Sequence, residues 1–228
     1  GCSRISIGWQ LGAIPMPGLE ALGVVLPVKP MSSWRLLSML EQRLIDFGVM
    51  GLMEFQALLG HPLTRLRARR MALSPSMLCV PQAIFPLKLV ASRNHPLQGR
   101  KDAGPDDFSQ FPSPSLSLGM APTLMGALQN HGLANQACGL QEYDEAKWEG
   151  FASNGVGLSY CAPHQLNVLD KRYELRPLSY ELGIQECIGI VGHRDVLTDA
   201  RFSEIFTHIL TCLRMALNGN GAQYHWLS

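Results

Sequence analysis

Charge is scarce in this sequence. Of its 228 residues only 16% are Asp, Glu, Lys or Arg, and 19 basic residues nearly cancel 18 acidic ones, leaving a net +1. Gripping a polyanion needs clustered Lys and Arg, so a chain whose main surface binds nucleic acid is excluded. The one dense basic run, Arg65, Arg67, Arg69 and Arg70, is short and reads as a solvated edge. Zinc-finger spacing is missing as well: the cysteines at 2, 79, 138, 161, 187 and 212 form no Cys-x-x-Cys pair. In a chain of this size such scatter implies unpaired thiols in a reducing compartment, not a disulfide framework. No apolar run approaches the ~18 residues of a membrane span, and the first residues lack the basic-then-apolar order of a secretory leader. The expectation is a soluble, cytoplasmic protein with no membrane partner.

Catalytic signatures are equally sparse. There is no Gly-x-Ser-x-Gly elbow, no His-Glu-x-x-His and no phosphate-binding loop. Gly155-Val156-Gly157 lacks the third glycine of a dinucleotide fingerprint. His61 and His95 each precede proline, where an imidazole shapes a loop more often than it serves as a base. His193-Arg194-Asp195 reads as a polar strand end, and Glu142, Asp144, Glu145 and Glu149 as the solvated face of a helix. Neither an enzyme, a metal site nor a cofactor is expected.

What is present is enough apolar residue, 46%, to fill a core, in a length that suits a two-lobed domain. Arg4 to Trp9 alternates with the period of a strand, and Gly23 to Val28 reads as a second. Ser32 or Ser33 then offers an N-cap oxygen, followed by Trp34, Leu37, Leu40 and Leu44 at helical spacing, and Ile45 to Met50 resumes a strand. Strands alternating with helices imply crossover units and a parallel sheet. Short strands are expected at 71–73, 77–80, 87–92, 115–119, 156–160 and 184–191. Pro122 should open a helix closed by Gly132, Tyr143 to Phe151 should form another, and Arg201 to Leu217 a long amphipathic one. The Asn218-Gly219-Asn220-Gly221 run should lead into a mobile tail.

In an open α/β sheet, ligands bind at the carboxyl ends of strands, where helix N-termini present free N–H groups. Here those positions fall at Gln10–Gly12, Ser32–Ser33, Met50–Gly51 and Gly119–Thr123, mostly small or neutral-polar residues suited to hydrogen bonding a small molecule. Helix capping alone also accounts for Ser32 and Thr123.

Several strings, in order, are similar to one family. Asp46-Phe47-Gly48-Val49, Leu89-Val90-Ala91-Ser92-Arg93-Asn94-His95-Pro96-Leu97, Asp107-Phe108-Ser109-Gln110-Phe111-Pro112 and Gly155-Val156-Gly157-Leu158 with Pro163, closed by the helix at 201–217, resemble the effector-binding domain of LysR-type transcriptional regulators. Leu44 stands where the family often has glycine, Pro163 lies one residue late, and Leu63–Gln82 matches poorly, so no role is carried into that stretch. The resemblance implies an α/β fold like the type II periplasmic binding proteins, with two lobes, two crossover strands and an effector in the cleft between them. Lobe I would be 1–91 plus 191–228, and lobe II 92–190. It implies a ligand-sensing and oligomerising regulatory domain of a bacterial transcription factor, working as a homodimer or homotetramer. Promoter DNA would be bound through an N-terminal winged helix-turn-helix absent from this chain. Carried over by position, the effector-binding residues are Gln10, Ser32, Ser33, Met120, Thr123 and, before the glycine pair, Asn154. Facing helix N-termini favour an anionic effector such as a carboxylate. An extracytoplasmic solute-binding protein of the same fold is the alternative, and an enzyme on a two-lobed scaffold the third choice. Peroxide-sensing members keep their reactive cysteines in the second lobe, yet Cys161 and Cys187 sit in apolar strands here, so no redox role is expected.

The resemblance, with so few charges on an apolar chain, predicts self-association. Sedimentation at tens of micromolar should give a dimer; a monomer at about that concentration would contradict this.

Overall fold

The computed structural model describes residues 5–9, 16–25, 33–52, 76–115, 122–137, 153–218 and 223–227. The chain divides into two compact units, residues 1–84 with 187–228, and residues 85–186. Two long strands, β4 (Met77–Ser92) and β8 (Leu175–His193), contribute to both.

The first unit is built on β1 (Ile5–Trp9), β2 (Val24–Val25) and β3 (Phe47–Leu52). β1 pairs parallel to both β2 and β3, with Ile5 opposite Val24 and Gly8 opposite Gly48. β3 then pairs antiparallel to β8, Phe47 opposite Gly192 and Leu52 opposite Cys187. The sheet is therefore mixed, which corrects the all-parallel expectation. Crossover logic applies only where a helix joins neighbouring strands, and β8 joins the sheet from a distant part of the chain.

Helix α1 (Ser33–Glu41) buries Leu36 and Leu40, one turn apart, at 0% exposure. They pack with Ile45, Met50, Met77, Cys79, Ile84, Cys187, Val191 and Leu227. The helix stops earlier than its apolar spacing suggests. Arg43 turns to φ +54°, and the N–H groups of Arg43 and Leu44 donate back to the carbonyls of Leu40 and Met39. Leu44, expected inward, is 61% exposed because it lies past this stop.

The opposite face is closed by α6 (Ala200–Asn218), whose Phe202, Ile205, Ile209, Cys212, Leu213 and Leu217 are buried. Phe206 and Leu210, expected inward, are half-buried at the edge of that stripe. Phe202 meets the Phe47 ring edge-on with centroids 5.2 Å apart. The tail does not stay free. β9 (His225–Trp226) pairs antiparallel with Ala83 and Ile84, Leu227 is buried, and Arg214 lies over the Trp226 ring. Apolar residues in those last positions outweigh the glycines before them.

In the second unit, β4 pairs antiparallel with β7 (Leu158–Cys161), Lys88 opposite Cys161. Two expected short strands, 77–80 and 87–92, are one strand of 16 residues; Pro81 and Pro86 made it read as broken. The residues at 71–73 and 143–151 lie outside the described ones. Helix α2 (Pro105–Phe108) opens on a proline with Asp107 Oδ2 accepting from the Gly104 N–H at 3.0 Å. β5 (Pro114–Ser115) pairs parallel to β6 (Gln136–Ala137), with α3 (Pro122–Gln129) between them. After β7 a 3₁₀ turn, Pro163–Gln165, leads into α4 (Leu166–Tyr173), a helix not expected from the sequence although Leu166, Leu169 and Tyr173 carry its period. Leu169 packs with Val90, Cys161 and Leu175. The short α5 (Arg194–Leu197) follows β8 back in the first unit.

Gly132 ends the α3 turn at φ +71°, and a Cβ there would fall 2.3 Å from the Pro105 carbonyl oxygen. Gly132→Ala should cost about 2–4 kcal/mol, combining backbone strain with a collision against main chain. Gly99, at φ +77° in open space, serves as control: alanine there should cost only about 1 kcal/mol. Urea unfolding of both variants measures the difference, and equal losses would remove the steric argument.

Candidate functional site

Two helix N-termini carry the sequence-derived candidates. Ser33 is the first residue of α1 and Thr123 the second of α3. Helices of nine and eight residues leave their first N–H groups unbonded within the helix and place a positive dipole end there. Gln10, Ser32 and Met120 lie outside the described residues. Asn154 is exposed, and its Oδ1 accepts from the N–H groups of Val156 (3.1 Å) and Gly157 (3.2 Å) across the left-handed Gly155. Its oxygen thus shapes the loop before β7.

In the first unit two polar side chains are buried against apolar surroundings. His193, 3% exposed, bonds through Nε2 to the Leu40 carbonyl, an acceptor, so that nitrogen carries a proton. Asp195, two residues on, pairs with Arg43 at 3.1 Å, and that hydrogen bond holds its carboxyl below the usual range. The His-Arg-Asp string stands at the end of β8, as expected. Gln82 is 2% exposed; its Nε2 donates to the Val80 carbonyl at 3.0 Å, and its Oε1 is buried without a partner among the described residues. Nothing in the sequence singled it out, beyond a lone carboxamide in an apolar strand.

Among the described residues of the second unit, burial is the main cause of a shifted pKa at three groups. His95 packs its ring on Phe111 at 4.5 Å and accepts the Leu97 N–H on Nδ1 at 3.1 Å. Burial lowers its pKa and the facing Val156 backbone opposes this, while Nε2 makes no hydrogen bond among the described residues. His164, in the 3₁₀ turn, stands edge-on to Phe85 at 6.4 Å. It keeps some solvent contact, yet burial pulls it down to about 4. Glu186, half-buried in β8, is pushed by burial up to about 7, and no ion-pair partner meets it among the described residues. A carboxylate between Gln185 and Cys187 in an otherwise apolar strand was the available signal. Cys79, Cys161, Cys187 and Cys212 are buried, and burial raises the Cys79 thiol well above its ordinary value, with Cys187 adding to it. Among the described residues no cluster of His, Cys, Asp and Glu could hold a metal ion, and no helix is long and apolar enough to cross a membrane.

The His164 and Glu186 shifts make stability depend on pH in opposite directions. The unfolded chain protonates His164 below about 6.5, the folded protein only near 4, so stability falls as pH drops through that window. Folded Glu186 stays protonated up to about 7, whereas the unfolded carboxyl ionises near ~4.3, so its stability is lost as pH rises through that range. Glu186→Gln mimics the protonated state. It should leave stability at the acid end of this range little changed and raise it at pH ~8 by about 1–3 kcal/mol. Denaturant titrations at both pH values measure this; an equal effect at both would mean that the folded carboxyl is already ionised.

No protein-family model matches the sequence, and no curated protein matches it. Solved structures do. The effector-binding domain of QuiR in complex with shikimate superposes with TM-score 0.64 at 14% identity, covering 92% of this chain and 97% of that one. The regulatory domain of MetR, a LysR family regulator from N. meningitidis, gives 0.60 at 9%, covering 99% and 100%. OxyR of Corynebacterium glutamicum, a cysteine variant, gives 0.63 at 15%, covering 96% of this chain and 66% of that one. The chain thus spans about two thirds of the length of that regulator. The fold is the two-lobed, periplasmic-binding-protein-like one shared by the regulatory domains of LysR-type regulators.

Proposed function

We propose that this chain is the ligand-sensing and oligomerising domain of a LysR-type transcription factor, binding a small-molecule effector and passing its occupancy to a DNA-binding domain elsewhere in the full-length protein. The observation that carries this is the near-complete match, in both directions, to isolated regulatory and effector-binding domains. Among the described residues, enzymatic use of the scaffold finds no nucleophile–base pair in support. His193 and Asp195 are bound to Leu40 and Arg43, and His131 bonds Tyr180 OH through Nδ1 at 3.0 Å.

In this reading Gln10, Ser32 and Ser33 from one unit, and Met120, Thr123 and Asn154 from the other, contact the effector. The hydroxyls and free N–H groups at the starts of α1 and α3 would meet an electron-rich head group such as a carboxylate. Met120 would pack on its apolar part. Binding would act on DNA by favouring one arrangement of lobes or subunits, which requires unequal affinity for the two arrangements. Dimer or tetramer formation sets the number and spacing of DNA-binding heads.

Shikimate, the QuiR ligand, heads a panel of small carboxylates for calorimetry and thermal unfolding. A true effector at ~100-fold its Kd should stabilise the protein by about 2.7 kcal/mol, without being chemically changed. Thr123→Val removes one hydroxyl at nearly constant shape and should weaken that binding by about 1–2 kcal/mol, with little effect on folding. Unchanged affinity would remove the second-unit contact, and turnover of the compound would replace a sensor by an enzyme.

A further inference from the structure

We infer that His95 is a pH-sensitive latch for the loop 153–157: the neutral ring holds the loop at the entrance to β7, and protonation of the ring releases it. The latch lies within the second unit and operates whether or not Asn154 contacts an effector.

The tautomer is set by the turn that the ring closes. The Leu97 N–H donates to Nδ1 at 3.1 Å, so Nδ1 offers its lone pair and the proton of the neutral ring sits on Nε2. The turn is tightened by its main chain. The His95 N–H donates to the Ser92 carbonyl and the Gln98 N–H to the His95 carbonyl, both at 2.9 Å. The ring itself is 3% exposed and packs on Phe111 with centroids 4.5 Å apart. Phe111 belongs to the segment that anchors β7, because the next carbonyl, Pro112, accepts from the Leu158 N–H at 2.9 Å.

Val156 completes the enclosure. Its backbone favours the charged form of the ring, and an acceptor does that where a donor would not, so the group facing the imidazole is the Val156 carbonyl. It faces Nε2 without meeting it in a hydrogen bond. The loop is tied to itself by Asn154 Oδ1, which accepts from Val156 at 3.1 Å and Gly157 at 3.2 Å. Val156 and Asn154 therefore move together.

A second proton has one place to go. It must sit on Nδ1, where the Leu97 N–H already points, and two donors cannot share that contact. Charging the ring thus breaks the turn bond and leaves a cation among apolar neighbours. Burial lowers the pKa of His95, and the weaker pull of the Val156 carbonyl is the influence that opposes it. Charged groups on the neighbouring elements are engaged elsewhere or face solvent. Arg93 pairs with Glu174 at 2.9 Å, and Arg100 with Asp102 at 3.2 Å and Asp107 at 3.1 Å. Lys101 and Asp106 are exposed, and residues 153–157 carry no charge. The charged ring gains by leaving Phe111 for water, which removes the wall behind Val156. Because the neutral form is the one held, the latch is closed at neutral pH and opens as pH falls below the ordinary histidine value of ~6.5.

The test uses the full chain without ligand. NMR follows the His95 ring and the amides of Leu97, Val156 and Gly157 as pH is lowered from ~8. The three amides should shift with the midpoint of the His95 ring, distinct from that of His164 near 4. One pH unit below that midpoint the charged ring exceeds the neutral one about tenfold, and hydrogen-exchange protection of these amides should fall by at least ~10-fold. The Ala134 N–H, held by Ser113 Oγ at 3.1 Å, should keep its protection. His95→Asn keeps a side-chain acceptor for the Leu97 N–H and cannot titrate, so the pH response of Val156 and Gly157 should vanish while Leu97 stays protected. Loop amides that do not follow the His95 midpoint overturn the latch, as does a ring that stays neutral until the whole protein unfolds in acid. A loop response that survives in folded His95→Asn overturns it as well. If that variant does not fold, the shared or separate midpoints in the unaltered protein decide.

Discussion

The first unit depends on burying the Cys187–His193 stretch of β8 from both sides. All seven residues of that stretch are buried. Cys187 and Val191 enter the cluster under α1, and Gly192 sits so close to Phe47 that a Cβ there would approach its Cβ to 2.9 Å. Fully burying a large aliphatic side chain contributes about 1.5–3 kcal/mol, and Ile188, Ile190 and Val191 are all at 0% exposure. Such a strand cannot be an edge. It needs neighbours on both sides and helices on both faces, which explains why β3 accepts an antiparallel partner and why α6 must return from the end of the chain to cover Phe47.

Burial on that scale leaves polar groups in dry places, and the protein places them with tautomer and rotamer fixed. His193 caps the α1 carbonyl of Leu40, and His95 takes the Leu97 N–H to form the turn of the His-Pro-Leu segment. Ser113 and Asn135 tie the second unit together by Asn135 Oδ1 accepting from the Ser113 N–H and Ser113 Oγ accepting from the Ala134 N–H. In these groups the engaged atoms are met locally. Gln82 follows the same pattern, its Nε2 donating to the Val80 carbonyl.

Identity of 9–15% with regulators of the same fold shows how little of this depends on particular side chains. In this chain the fold is carried by pattern: an amphipathic α6 over the sheet, a proline opening α3, a left-handed glycine closing it. The effector candidates are of another kind. Their residue types are ordinary capping types, and only position gives them meaning. That is why Ser33 and Thr123 could be placed from the order of elements, while Glu186 and His164 were passed over. Their perturbed protonation is made by neighbours distant in sequence.

The sequence by itself determined α1, α3 and α6, whose 3.6-residue stripes and proline or glycine ends are local signals, and the strands at β1, β3 and β7, whose alternation lies within a few residues. It also determined the small charge and the scattered thiols. Tertiary structure decided what depends on partners. It fused two strand fragments across Pro81 and Pro86 into β4, and it turned β8 antiparallel against β3. It stopped α1 before Leu44 through the left-handed Arg43, and it pulled Leu227 into the core although glycines precede it. It also buried Gln82 in β4. Strand pairing and burial are made by residues remote along the chain, so no window of sequence contains both halves of those interactions.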